Sequence, residues 1–219
     1  MANKNGSIAF LSSKTNDWIL RYLAEESFED VWNGKIAFYQ DEKNISDYDV
    51  VFILGYMKIL DNNFLAKNNL NLVIHESSLP YGKGFSPVQW QILAGLNEIV
   101  VTLFEASDSV DSGDIIIQEK LSLDGSELYE EIRDKQAAIT IKIIKRFMQS
   151  FPSFTRKKQS GVETFFARRK PEDSELSIDK TIREQFNLIR ISNNEQWPSF
   201  FYHHNTKYLL KIYKDGDEN

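Results

Sequence analysis

The sequence of 219 residues contains no cysteine, which excludes a disulfide framework and a thiolate metal site. Of its three histidines, two are adjacent at His203 and His204, so the histidines offer no metal-ligand spacing. No apolar run approaches the roughly 20 residues that a membrane span requires. The N-terminus has neither the long apolar segment nor the cleavage site of a secretion signal. These absences predict a cytoplasmic protein without a metal and without a membrane partner.

Positive charge is also limited, with 26 Lys and Arg against 32 Asp and Glu and a net charge of −6. Nucleic-acid backbones favour a basic face, so this balance argues against a nucleic-acid partner. The 42% apolar residues are enough to build a core. The length fits one domain of ordinary size with a small appendage.

Strands and helices alternate along the first 150 residues. Apolar runs predict strands at 7–11, 35–39, 49–54, 72–75, 100–105 and 114–121. Helical spacing predicts helices at 16–27, 62–67, 86–95 and 126–150, with Ser86 and Ser126 as N-caps. This alternation predicts an α/β fold, a Rossmann-like and mostly parallel sheet with helices on both faces, over residues 1–150.

The composition changes after Pro152, and residues 151–219 are predicted to form a small C-terminal α/β appendage. It begins with a basic segment at 155–170 and contains a helix within 172–192. The expected apolar face of that helix comprises Ile182, Phe186, Leu188 and Ile189. Strands follow at 199–202 and 207–213, and 215–219 is expected to fray.

The first candidate site residue is His75, at the end of an apolar strand. Two serines, a proline and a G-K-G loop follow, and a helix then opens at Ser86-Pro87. Glycines let backbone N–H groups approach a ligand, and a new helix N-terminus favours an anion. A strand-end histidine in this setting predicts a catalytic group at the carboxyl edge of a sheet, although a lone histidine is also often structural.

The second candidate is Asp111, in an Asp-Ser-Gly turn between two predicted strands. Aspartate before Ser-Gly is typical of turn chemistry, and Asp108 and Asp114 are competing carboxylates. The functional hypothesis therefore rests on the pair, with His75 and Asp111 meeting in one site.

The two motifs, H-x-S-x-L-P at 75–80 and D-x-G at 111–113, resemble the formyltransferase family that uses 10-formyltetrahydrofolate. The resemblance covers roughly residues 48–150 and implies that His75 and Asp111 are catalytic. Residues 54–60 resemble the family's folate loop, and 105–111 match the loop that closes over the pteridine. The resemblance thus implies folate contacts from Tyr56, Met57, Lys58, Ile59, Ser107, Asp108, Val110 and Asp111.

The sequence departs from the family at Val73, where the family has an asparagine whose amide would hydrogen-bond the formyl oxygen. Asn71 lies one residue pair too far back on the same strand face. Either a backbone N–H of the 82–84 loop or protonated His75 replaces the amide, or the chain is a weak or non-catalytic relative.

Within the family, the loop HESSLPYGKGFSP, the following WQIL and the RRKPEDSE segment resemble bacterial nucleotide-sugar N-formyltransferases. This implies transfer to a dTDP-linked amino-deoxysugar for surface polysaccharide. The length and acidity do not suit the tRNA enzyme with its separate C-terminal barrel. Alternatives are a glycinamide ribonucleotide or other small-amine formyltransferase, a formyltetrahydrofolate hydrolase, and a non-catalytic folate- or nucleotide-sugar-binding module.

Substrate contacts are expected from Ser77, Lys83, Gly84, Phe85 and Trp90, with Lys83 meeting phosphate and an aromatic ring stacking on a base or sugar. Core packing is the competing interpretation for Trp90. A solvated face is the competing interpretation for the run from Arg168 to Lys170. The aromatic residues after Thr164 predict a dimer interface, or else packing onto the main domain.

Overall fold

The computed structural model describes residues 6–216, so the first five residues and the last three of the predicted frayed tail lie outside the described part. In chain order the elements are β1 (Ser7–Leu11), α1 (Trp18–Glu25), β2 (Lys35–Tyr39), β3 (Val50–Leu54), α2 (Asn62–Leu65), β4 (Asn71–His75), β5 (Lys83–Gly84), α3 (Pro87–Leu93), β6 (Glu98–Glu105), β7 (Ile115–Ser122), α4 (Tyr129–Ser150), β8 (Phe165–Phe166), α5 (Ile182–Arg190), β9 (Ser199–His203) and β10 (Thr206–Leu210).

The central sheet has six strands in the order β2-β1-β3-β4-β6-β7. The first four strands are parallel to one another, and β6 is antiparallel to both of its neighbours, β4 and β7. Every residue of β3 is buried, as its continuous apolar sequence requires of a strand covered on both faces. The predicted α/β fold with a mostly parallel sheet is confirmed.

Helix α4 covers one face of the sheet with a buried stripe that includes Ile143, Ile144 and Phe147. Its predicted N-cap was wrong, because the helix begins at Tyr129. The Ser126 hydroxyl donates instead to Asp124 in the preceding turn, at 2.6 Å. The Glu131 carboxylate accepts from the Leu128 N–H at 2.8 Å, so this backbone N–H at the start of the helix has a hydrogen-bond partner.

Helix α3 likewise starts after Ser86 without a side-chain cap, since Ser86 adopts the left-handed conformation with φ of 51°. In α5, Ile189 is buried but Ile182 is 72% exposed, so Ile182 does not belong to the packed face. Ile182 is the first residue of α5, whereas the buried residues of the helix lie at its C-terminal end.

The segment after α4 returns to the main sheet before it reaches α5. Lys157 and Ile115 exchange backbone hydrogen bonds of 2.8 Å each, and β8 pairs in parallel with β5. The division into 1–150 and 151–219 stays a prediction, and residues 157–166 pack directly against the predicted catalytic loops. Within residues 6–216, no helix is long and apolar enough to cross a bilayer.

Candidate functional site

A cleft of ≈ 730 Å³ opens where β3 and β4 end. Its walls come from the loops after these strands, from the turn between β6 and β7, and from one face of α4. Residues 168–171 close it on the C-terminal side. Carboxyl ends of parallel strands are the usual place for a ligand site in an α/β sheet.

His75 is the last residue of β4 and lines the cleft with a side chain that is 9% exposed. Its Nε2 lies 2.7 Å from the Gly82 carbonyl oxygen. A carbonyl only accepts, so Nε2 carries a proton and donates to Gly82. Nδ1 is then the nitrogen available for proton transfer, and it lies 3.8 Å from Oδ2 of Asp111. The sequence prediction that these two residues share one site agrees with this geometry.

Asp111 occupies a turn that only particular residues can build. Its own φ is 48°, in the left-handed region that Asp tolerates better than most side chains. A Cβ on Gly113 would lie 1.6 Å from the Glu105 carbonyl oxygen, so this position requires glycine. The Asp111 carboxylate accepts the Gly84 N–H at 2.8 Å, which aims it toward His75. The competing carboxylates Asp108 and Asp114 lie outside the cleft lining.

A strap formed by residues 157–166 holds the Asp111 turn from outside. The side-chain amide of Gln159 donates to the carbonyls of Asp111 and Gly113, at 2.8 and 2.9 Å. Lys83 donates to the Ser112 hydroxyl at 2.7 Å and pairs with Glu163. The position of Asp111 therefore depends on residues far along the chain.

The predicted folate loop, Tyr56 to Ile59, lines the cleft. Tyr56 donates its hydroxyl to Glu42, and the Lys58 ammonium lies 3.0 Å from the same carboxylate. These donors hold the pKa of Glu42 down at about 2, with the Tyr56 hydrogen bond the largest cause. Burial, and then the bond to Glu42, raise the pKa of Tyr56. Of the second predicted loop, Ser107 and Val110 line the cleft and Asp108 does not.

Three of the predicted substrate contacts do not face the cleft. Lys83 is 4% exposed and its ammonium is taken by Ser112 and Glu163, so it is a structural residue and not a phosphate ligand. Ser77 is fully buried, and its carbonyl accepts from Thr102 at 2.7 Å. Trp90 lies outside the lining and donates to the Ala167 carbonyl at 2.8 Å. Gly84 and Phe85 do line the cleft.

Val73 lines the cleft, in the place where the resemblance leads one to expect an amide. Asn71 does not substitute for it, because its amide donates to the Leu65 carbonyl at 2.9 Å. The backbone alternative was also wrong. The N–H groups of Gly82 and Lys83 donate to Thr164, and that of Gly84 to Asp111. Of the replacements considered, protonated His75 remains.

Sequence reasoning missed a polar group on α4. Arg133, Gln136 and Thr140 follow a helical period and line the cleft together. Gln136 donates to Glu76, and Arg133 donates to Gln136 at 2.9 Å. The signal was available, since these polar residues interrupt an otherwise apolar helix face. Within residues 6–216 no cluster of three or more His, Asp or Glu could hold a metal ion.

A sequence model of the family described as formyl transferase matches residues 7–147, well over half of the chain. The chain belongs to the formyl transferase family. The matched region includes β1 to β7, both motifs and nearly all of α4. The turn containing Asp111 and the strand that ends at His75 are thus parts of the family's shared sequence region.

Several formyltransferases resemble the chain. Methionyl-tRNA formyltransferase of Lachnospira eligens is 27% identical over 183 residues, which are 81% of this chain and 56% of that protein. The chain spans about half the length of the curated relatives it matches. The structure of methionyl-tRNA formyltransferase from Clostridium thermocellum has a TM-score of 0.76 at 21% identity, covering 97% and 95% of the two chains. A sugar N-formyltransferase from a Shewanella species has a TM-score of 0.71 at 11% identity, covering 97% and 99%. These structural likenesses establish the fold alone.

Proposed function

We propose that this formyl transferase moves a formyl group from 10-formyltetrahydrofolate to the amino group of a dTDP-linked amino-deoxysugar, for surface polysaccharide. The observation that carries the proposal is the pair formed by His75 Nδ1 and the Asp111 carboxylate, 3.8 Å apart at the edge of the cleft. The resemblance of the 75–87 loop and the 168–175 segment to sugar N-formyltransferases supports the choice of acceptor.

The reaction needs a base, because only a neutral amine attacks the formyl carbon. The amine lone pair forms the new C–N bond, and the proton that the amine loses passes to Nδ1 of His75. Nε2 already donates to Gly82, so the ring becomes an imidazolium, which the adjacent Asp111 carboxylate stabilises. Collapse of the tetrahedral intermediate breaks the bond to N10 of the folate, and that nitrogen takes up the proton from Nδ1 of His75, which returns the ring to its neutral form.

The tetrahedral oxygen requires a hydrogen-bond donor. Because Val73 supplies none and the 82–84 amides are occupied, protonated His75 serves as that donor in our mechanism. The folate would lie against the 56–59 loop and the 107–111 turn, both of which line the cleft.

The test is an assay of purified protein with 10-formyltetrahydrofolate and a panel of dTDP-linked amino sugars. We expect formylated sugar, with the rate lowered about 10²- to 10⁴-fold in His75→Ala. Asp111→Asn keeps an oxygen for the Gly84 N–H but loses the charge, so we expect a comparable loss. Formate release without an amine would indicate a hydrolase instead. Folate binding without any turnover would indicate a binding module.

Methionyl-tRNA formylation is the second candidate, because the curated relatives of this chain carry that name at 25–28% identity. Glycinamide ribonucleotide represents the other small-amine acceptors. Both enter the same assay as separate substrates. Preferred turnover of either one, measured as kcat/KM, would replace the sugar assignment while leaving the His75 mechanism intact.

We further propose a homodimer formed through the segment after residue 150. Trp197, Tyr202 and Tyr208 are about half exposed there, whereas Phe200 is buried and Phe201 packs against Tyr208. Exposed aromatic surface of this kind is typical of interfaces. Light scattering that gives a monomer mass at assay concentration would contradict this proposal.

A further inference from the structure

Besides Lys58, which pairs with Glu42, four basic side chains line the cleft: Arg133 from α4, and Arg168, Arg169 and Lys170 from the segment after β8. The ion pairs formed within residues 6–216 involve none of these four. The carboxylates in the lining are Glu76, which accepts from Gln136, and Asp111. The cleft thus concentrates positive charge in a chain whose net charge is −6.

The two arginines are held in place by aromatic rings and backbone. The Arg168 guanidinium lies 5.0 Å from the centre of the Phe85 ring, and Arg169 lies 5.7 Å from that of Trp90. Trp90 is itself fixed by its bond to the Ala167 carbonyl. Arginine stacked on an aromatic ring keeps its planar fork free for an oxyanion and loses less entropy on binding.

Of the two terminal nitrogens of the Arg169 guanidinium, one has a hydrogen-bond partner and the other has none within the described residues. Its NH2 donates to the Asp173 carbonyl at 3.0 Å, while its NH1 is buried and makes no hydrogen bond within the described residues. A buried, unpaired guanidinium N–H is costly. Arg169 lines the cleft, so a ligand oxygen that reached NH1 would remove that cost.

We propose that Arg168 and Arg169 form a subsite for the phosphate groups of the acceptor substrate. This inference rests on the proposed function, because it identifies the acceptor as a phosphate ester bound in the same cleft as the folate. Folate also carries carboxylates, which arginine binds by the same bidentate geometry. The concentration of four cations favours the higher charge of a diphosphate over a glutamate tail. Arg168 is well placed for this role, since Phe85 follows Gly84, whose N–H contacts Asp111.

The experiment is calorimetry on the purified protein with thymidine 5′-diphosphate and, separately, with tetrahydrofolate. We expect Arg168→Ala and Arg169→Ala to weaken diphosphate binding about 10- to 100-fold each, as charge-assisted hydrogen bonds are lost. Arg168→Lys keeps the charge but loses the fork, and we expect a smaller loss. Tetrahydrofolate binding should not change. Arg183→Ala on α5 is the matched control, because Arg183 is exposed and lies outside the cleft lining.

Unchanged diphosphate affinity in both alanine variants would overturn the subsite, as would a wild-type protein that binds no diphosphate. Loss of tetrahydrofolate binding with diphosphate binding intact would assign the arginines to the folate tail and also overturn it. Melting temperatures equal to wild type exclude misfolding as the cause. Arginine-dependent diphosphate binding without formyl transfer would leave the subsite standing and refute the proposed activity alone.

Discussion

Removal of the Gln159 amide tests whether the strap positions Asp111. Gln159→Met keeps the length and most of the volume of the side chain but removes both N–H donors. The carbonyls of Asp111 and Gly113 would lose hydrogen bonds of 2.8 and 2.9 Å. Asp111, with φ of 48°, would then be held mainly by its carboxylate contact to Gly84.

The size of the effect follows from the two bonds. Each contributes about 0.5–1.5 kcal/mol net, so their loss amounts to about 1–3 kcal/mol. Every 1.36 kcal/mol corresponds to a tenfold change in rate. If Asp111 moves away from His75 and the whole of this free energy is added to the activation barrier, kcat/KM for formyl transfer should fall about 5- to 150-fold.

The matched control is Gln185→Met. The Gln185 amide also donates to backbone carbonyls, those of Ser177 and Lys180 at 3.0 and 3.2 Å, but on α5 and outside the cleft lining. Steady-state kinetics and melting temperatures are measured for both variants. We expect a loss of stability in both variants and a loss of activity confined to Gln159→Met. Wild-type kcat/KM in Gln159→Met would refute the positioning role.

The remaining predictions concern three other positions. Val73→Asn adds a second donor beside protonated His75 and should raise the single-turnover rate at least about tenfold over Val73→Ala; no gain would show that the tetrahedral oxygen does not lie within reach of residue 73. Gly84→Ala places a Cβ 2.6 Å from the Phe166 carbonyl oxygen at φ of 96°, so the melting temperature should drop by the equivalent of about 1–3 kcal/mol. The pKa of Glu42 is lower in the folded chain, at about 2, than its ordinary value of 4.5, so its carboxylate stabilises the fold above pH 4.5 and the effect fades as the pH falls toward 2. The melting-temperature difference between wild type and Glu42→Gln should therefore be constant above about pH 5 and shrink below it; a pH-independent difference would contradict the role of Tyr56 and Lys58 as partners of the charged form.

Local sequence patterns were sufficient to predict the sheet, and the two motifs predicted that His75 and Asp111 lie together. The strands β1 and β2 begin and end where their apolar runs do, with β1 buried inside the sheet and β2 at its edge. His75 and Asp111 were predicted as a pair from the two motifs that carry the family resemblance, and parts of these motifs have local conformational reasons. Gly113 is one example, since its contact with the end of β6 admits no side chain.

The rest of the site depends on contacts between residues far apart in the sequence. Lys83 lies in a Gly-Lys-Gly loop, a sequence context that is typical of a phosphate ligand. In the structure its ammonium pairs with Glu163, which lies 80 residues later in the chain. Arg168 and Arg169 read as a solvated basic run, yet pairing of β8 with β5 brings them beside Phe85 and Trp90. No spacing rule encodes such pairings, because they follow from the path of the chain after α4.

That path has a consequence for how activity depends on the C-terminal segment. The strap at 157–166 pairs with β5, bridges to Ile115 and bonds the Asp111 turn, so it contacts both motifs at once. The 82–84 loop cannot keep its present shape without Thr164, which receives two of its backbone N–H groups. The matched family region ends at residue 147, before the strap begins. A chain cut after α4 would retain His75, Asp111 and the sheet that carries them, but would lose the contacts that bring the two side chains together. The approach of His75 to Asp111 is therefore a property of the sheet and the strap jointly.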